Sequence, residues 1–261
     1  MTAVLQIGYS TLTSENIVPL LACYQIIPQL ICESIIEQAI KTIHCTSEET
    51  TQACQELYQQ WGLISESQRQ TWRSHYRLSQ EQFEKLATRK LRIEKFKRLS
   101  WGHTVGSCFL KRKMQLDQVV YSFMRVSDRG LANELYFRIQ EGEQSFAELA
   151  REYSEGPEAY TSGLMGPVEL GKLHPNLAEL LYTSPVNKVQ SPVPFGEWQV
   201  IVRVEKFIPA ELDDAMRQRL LQEKFESWFQ EQLRQLPYQE RIWMGVTSDN
   251  PNDATKNLAV A

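Results

Sequence analysis

Along roughly the first hundred positions of this chain, apolar residues recur at intervals of three and four, the period of a helix that buries one face. The run SENIVPLLACYQIIPQLICESIIEQAIKTI has this spacing, and Pro28 opens a second helix in its first turn, where a missing N–H is tolerated. TSEETTQACQELYQQWGL starts on a capping residue, Ser47 or Thr46, places glutamates in its first turn and stops at Gly62. SESQRQTWRSHY and LSQEQFEKLATRKLRIEKFKRLSW continue the pattern, with Ser79 as a further cap. The spacing predicts helix almost throughout this region.

The period then changes. WGHTVGSCFLKRKMQLDQ, with two glycines and a basic run, reads as the end of the helical bundle and a connection. QVVYSFMRV (118–126) has the β-branched and aromatic content of a strand. SDRGLANELYFRIQEG is a helix with Leu131, Leu135 and Ile139 on one side, and SFAELAREYSEG a capped one with Phe146, Leu149, Ala150 and Tyr153 inward. A glycine- and proline-rich apolar loop leads to a short helix, PNLAELLYT, and a long apolar strand, EWQVIVRVEKF (197–207). That order describes a small α+β domain of about ninety residues. The segment PAELDDAMRQRLLQEKFESWFQEQLRQL returns to helical spacing, with Leu212, Ala215, Met216, Leu220, Phe225, Trp228 and Phe229 in a broad stripe that needs a partner. The N-terminal bundle is the expected one. The predicted layout is α+β: a helical domain over 1–117, an inserted domain over 118–207, a helix over 208–236 completing the first domain, and a tail over 237–261, disordered beyond Ser248.

Composition narrows the function classes. A length of 261 residues with 42% hydrophobic content suits two domains with cores of their own. With 28 basic and 32 acidic residues, a formal net charge of -4 gives no general grip on nucleic acid or anionic lipid. The basic cluster TRKLRIEKFKR could offer a nucleic-acid face, but Leu91, Ile93 and Phe96 interleave with it as the buried stripe of a helix would, so the basic residues read as that helix's solvated outer face. The N-terminal stretch lacks a basic leader region, and Ser, Glu, Asn and Gln interrupt its apolar residues, so neither a signal peptide nor a membrane span is expected. Cys23, Cys32, Cys45, Cys54 and Cys108 are odd in number and lack framework spacing, which suits a reducing compartment. A cytoplasmic location is the expectation. His44 lies beside Cys45, but no C-x-x-C spacing accompanies it, and no metal is expected.

The loop EYSEGPEAYTSGLMGPVELGKLHP carries little charge past Glu158, with no lysine set to hold a phosphate and no ligand pair for a metal. Its surroundings supply an ordered pattern: Phe146, Leu149, Ala150, Tyr153 and Ser154, then SGLMGPV, KLHPNLAELL and VQSPVPFGEWQVIVRVE. On these motifs, residues 119–207 resemble the parvulins, the PpiC-type peptidyl-prolyl isomerase domains. The flanking helices are similar in layout to the SurA and PrsA chaperone-isomerases. The resemblance implies a peptidyl-prolyl cis–trans isomerase that assists folding of a client, needs no cofactor, and binds proline-containing peptide or unfolded protein. It places Leu173 and Leu177 where parvulins have the Met and Phe that contact the proline ring, with Met165 close by. The polar positions depart from the family. Phe123 stands for the first-strand histidine, Gly156, between Glu155 and Glu158, for the Cys or Asp, and Trp198 or Gln199 for the final-strand histidine. Tyr121, Ser122 and Gln199 are the candidates to supply replacement hydrogen bonds, while His174, before Pro175, reads as a surface residue at a helix start beside the substrate. These losses leave a second reading beside the isomerase: a degenerate parvulin-like chaperone that holds peptide without turning it over.

Overall fold

Capping side chains, more than glycines, set where the helices of this chain begin. The computed structural model describes residues 3–7, 10–13 and 15–246, so the disorder expected beyond Ser248 lies outside the described residues. The first segment holds β1 (Ala3–Ile7), β2 (Ser10–Thr13), α1 (Ile17–Cys23), α2 (Ile27–Ile40), α3 (Ser47–Gln60), α4 (Glu66–His75) and α5 (Gln80–Trp101). The middle holds α6 (Val105–Leu116), β3 (Gln118–Val126), α7 (Arg129–Gln140), α8 (Phe146–Tyr153), β4 (Leu164–Glu169), α9 (Pro175–Thr183), β5 (Val193–Phe195) and β6 (Trp198–Ile208). After them come α10 (Asp214–Arg234) and α11 (Tyr238–Trp243). Contacts divide the chain into two compact units, Met1–Val105 with Gln218–Ala261, and Gly106–Arg217.

In the first unit, Thr46, Ser65 and Ser79 each accept the N3 amide of the helix they open, while the N3 side chain, Glu49, Gln68 or Gln82, accepts the cap's own N–H. The unit begins with an antiparallel hairpin of β1 and β2, a departure from the helix predicted there; Thr11 and Thr13 have the β-branched preference for extended backbone. Between α3 and α5, Phe83 is fully buried and stacks on Tyr58 with ring centroids 4.4 Å apart. The basic cluster of α5 is only in part a solvated face, with Lys90 and Arg98 exposed. Arg92 and Lys97 are each only 7% exposed. Arg89 pairs with Glu33 and Glu37 of α2, and Lys97 donates to Gln222 of α10 at 2.6 Å and lies 5.1 Å from the Phe225 ring centroid. Phe96 and Trp101 of α5 meet Phe225 and Trp228 of α10 edge-on or tilted, at centroid distances of 5.2 to 6.4 Å. Glu94 meets Lys97 from within the same helix, but Glu33, Glu37 and Gln222 come from distant parts of the sequence, which is why the local pattern suggested solvent instead. The α10 helix starts at Asp214, leaving Leu212 outside it, and buries Leu220, Leu221, Phe229 and Leu233.

The second unit has a four-stranded antiparallel sheet in the order β4-β3-β6-β5. Of its strands, β4 lies within the predicted apolar loop, and β5 lies between the predicted short helix and long strand, where no element was assigned. Met124, Val126 and Ile201 on one face pack against Ala132 and Leu135 of α7 and Phe146, Leu149 and Ala150 of α8. On the other face, Val119, Tyr121, Val200, Val202 and Val204 pack with Leu170 and with Leu181 of α9. The predicted connection after residue 101 is instead α6, whose Val105, Phe109 and Leu116 fall at helical spacing and are buried. The units therefore divide at 105/106 and 217/218, earlier than the expected break after 117 and later than that after 207. No single helix among the described residues is long and apolar enough to cross a membrane.

Candidate active site

Side chains alternate along a strand, so β3 sends Tyr121, Phe123 and Arg125 to one face and Ser122, Met124 and Val126 to the other. The same alternation in β6 puts Trp198, Val200 and Val202 on the face shared with Tyr121. Met165 of β4 lies directly opposite Tyr121 in the ladder. Leu173 precedes α9 and Leu177 sits in its first turns, and both pack on this same face. Phe123, Met165, Leu173, Leu177, Phe195 and Trp198 are all half-buried around the buried cluster, forming an apolar slot with a solvent side. His174 is exposed at its rim; its Nδ1 accepts the Asn176 N–H at 3.3 Å as the cap of α9, and its ring meets Phe195 edge-on at 4.9 Å.

The structure thus brings together Tyr121, Met165, Leu173, Leu177 and Trp198, with His174 adjoining. It does not bring Ser122 or Gln199 to them. Ser122 faces the α8 side, where its hydroxyl donates to Glu205, which also accepts from Arg203 Nε at 2.8 Å. Arg203 in turn lies 5.5 Å from the Phe146 ring centroid. Gln199 follows Trp198 on β6 and takes the opposite face by strand alternation. Neither supplies a hydrogen bond to the slot, a correction to the sequence expectation. Of the two alternatives for the final-strand position, Trp198 is the slot residue.

The polar group actually present was not foreseen. Arg125 lies 5.7 Å from the Trp198 ring centroid and makes a bidentate ion pair with Glu158, Nε to Oε1 at 3.1 Å and Nη2 to Oε2 at 3.0 Å. Glu158 is 4% exposed and sits in the short 3-10 turn Pro157–Thr161. The Ser154 hydroxyl donates to Glu158 at 2.6 Å and accepts the backbone N–H of Arg125 at 3.1 Å. A Cβ at Gly156 would lie 2.2 Å from Arg125 Nε and 2.3 Å from Glu158 Oε2, so the ion pair occupies the volume that a side chain at 156 would fill. Burial, and secondarily the Glu158 charge, push the Tyr121 phenol above its ordinary pKa and keep it protonated. The signal for this pair was available: Arg125 is two residues from Phe123 on a strand, and Glu158 is the last carboxylate before an apolar stretch.

Residues 125–206 match the family model described as rotamase, PPIC-type PPIase domain. This segment belongs to the PPIC-type PPIase family. It is an isomerase domain, and the matched residues take in Arg125 and the slot residues Met165, Leu173, Leu177 and Trp198, beginning two positions after Phe123. Among solved structures, the chain is similar to the peptidylprolyl isomerase PrsA from Bacillus cereus, at 18% identity and TM-score 0.46, covering 97% of this chain and 94% of that one. It is similar also to PrsA from Bacillus anthracis, at 18% identity and TM-score 0.38, covering 82% of this chain and 93% of that one. A SurA-like chaperone structure from Campylobacter jejuni matches at 13% identity and TM-score 0.37, covering 90% of this chain and 94% of that one. No curated protein matches the chain.

Proposed function

We propose that this protein accelerates cis–trans exchange of X–Pro bonds in client polypeptides during folding, holding the proline ring in the slot of Phe123, Met165, Leu173, Leu177 and Trp198. Rotation about such a bond crosses a barrier of about 18–20 kcal/mol and takes roughly tens to hundreds of seconds uncatalysed. No bond is made or broken, so a catalyst needs only to favour the twisted amide over the planar one. The planar amide is the more dipolar of the two, and an apolar, dewetted slot removes the water that stabilises it. The observation that carries the reading is the convergence of half-buried apolar side chains from all four strands and α9 on one face of the PPIase domain. The charge pattern fits a peptide partner and not nucleic acid, because Arg89, Arg92, Lys95 and Lys97 of the basic cluster are paired with carboxylates.

The test is NMR exchange spectroscopy on a panel of X–Pro peptides with the full chain. Saturable exchange above the spontaneous rate is expected. Binding without acceleration across the panel would leave only the holding role. The cytoplasmic location belongs to the same proposal; five cysteines, none in a disulfide, suit a reducing compartment. Recovery of the native protein in an extracytoplasmic fraction would refute it.

A further inference from the structure

We propose that Arg125, clamped by Glu158, is the catalytic hydrogen-bond donor of the slot, and that it donates to the prolyl nitrogen as the X–Pro amide twists. The inference rests on the isomerase reading of the slot and names the group that does its polar work. When conjugation is lost, the carbonyl oxygen gives back partial negative charge while the nitrogen regains its lone pair and becomes an acceptor. A donor aimed at the nitrogen therefore binds the twisted amide more tightly than the planar one, and a donor aimed at the oxygen does the reverse.

Three observations select Arg125. It lies on the slot face of β3 beside the Trp198 ring, where a proline ring would lie against the aromatic surface. The pair is asymmetric in depth: the Glu158 side chain is 3% exposed and that of Arg125 29%, so the carboxylate is beneath and the cation is what an incoming peptide meets. The guanidinium is also fixed in place. Nε and Nη2 are held by Glu158, Glu158 by the Ser154 hydroxyl, and Ser154 by the backbone of Arg125 itself, which leaves the Nη1 end to the substrate. A donor oriented before the substrate arrives needs no reorganisation during the twist. Glu158 acts through Arg125 and is a positioning residue. Tyr121 is the rival donor, buried beside the slot with its phenol protonated.

The experiment measures exchange rate and peptide affinity separately for the full chain and its variants. Arg125→Met should lower the saturated exchange rate by about 10- to 100-fold while peptide affinity changes by less than about twofold, the signature of an interaction made in the transition state. Arg125→Lys should retain an intermediate rate, because it keeps a donor and loses the bidentate clamp. Glu158→Gln should lower the rate by about tenfold, and in the Arg125→Met background it should add no further loss. The double variant Arg125→Met with Glu158→Gln leaves no unpaired buried charge, so it reports on rate even where the single Arg125 variant fails to fold. A folded, peptide-binding double variant with the unmodified rate would overturn the proposal, as would a full loss on Tyr121→Phe with none on Arg125→Met. Failure of the unmodified protein to accelerate any peptide would instead refute the isomerase reading itself.

Discussion

Replacing Gly163 by alanine tests whether the backbone beside the slot is set by close contact. Gly163 has φ +80°, and a Cβ there would lie 2.8 Å from the Ala150 Cβ and 2.9 Å from the Phe123 carbonyl oxygen. Ala150 is fully buried in the core under α8, so it cannot move aside. The left-handed backbone costs an alanine about 1–2 kcal/mol, and the overpacking about 1–3 kcal/mol more. Gly142 is the control: its φ is +75° and nothing lies within 4 Å of its added Cβ, so alanine there meets the backbone term alone. Because Gly163 accepts the Phe123 N–H at 2.8 Å and donates to the Glu158 carbonyl at 2.9 Å, relief of the clash displaces both slot groups. Hydrogen-exchange mass spectrometry on peptides covering β3 and β4 should show opening favoured about tenfold or more over the Gly142→Ala protein. Equal protection in the two variants would refute the close-contact argument.

Two further outcomes are expected. Leu177→Lys should weaken binding of proline-containing peptides at least about tenfold by calorimetric titration, since a charge must be desolvated against the ring, whereas Leu164→Lys, opposite Ser122 on the other sheet face, should leave affinity within about twofold; equal effects would move the binding surface elsewhere. Lys95, and then the Thr46 N–H, hold the Glu49 carboxyl below the usual carboxylate range, so its folded pKa is depressed, and its contribution to stability is present above the unfolded value and lost as pH falls through the folded one. Circular dichroism of the Glu49→Gln protein should therefore show a deficit against the unmodified chain near neutrality that closes in acid; a deficit constant with pH would refute it.

The sequence made the periodic elements readable and left their partners hidden. The strand over 118–126 and the caps at Ser79 and Ser145 coincide with β3 and the starts of α5 and α8, because alternation and capping are local chemistry. The β1–β2 hairpin and β4 were missed because their pairing, Leu5 with Leu12 and Tyr121 with Met165, is stated only in three dimensions. The same holds for α5, where the burial of Arg92 and Lys97 depends on Glu37 and Gln222 far along the chain. In the slot, the apolar residues Met165, Leu173, Leu177 and Trp198 were legible through the resemblance. Tyr121 and Ser122 were both candidates for replacement hydrogen bonds, and Trp198 and Gln199 alternatives for one position, although adjacent strand residues point to opposite faces. That alternation divides each pair and brings forward Arg125, which no family motif marks.

The packing of α10 on α5 also sets an order of events during synthesis. The second unit is one uninterrupted stretch, Gly106–Arg217, and can close as soon as it has left the ribosome. The first unit cannot, because Lys97 waits for Gln222, 125 positions later, an interval of about 6–25 s at usual elongation rates. Throughout that interval the faces of Phe96 and Trp101 destined for Phe225 and Trp228 are uncovered. A nascent chain of this protein therefore carries an open aromatic face through most of its synthesis, and completes its proline slot, with Trp198 and the rest of the last long strand, only shortly before the last long helix arrives to cover that face.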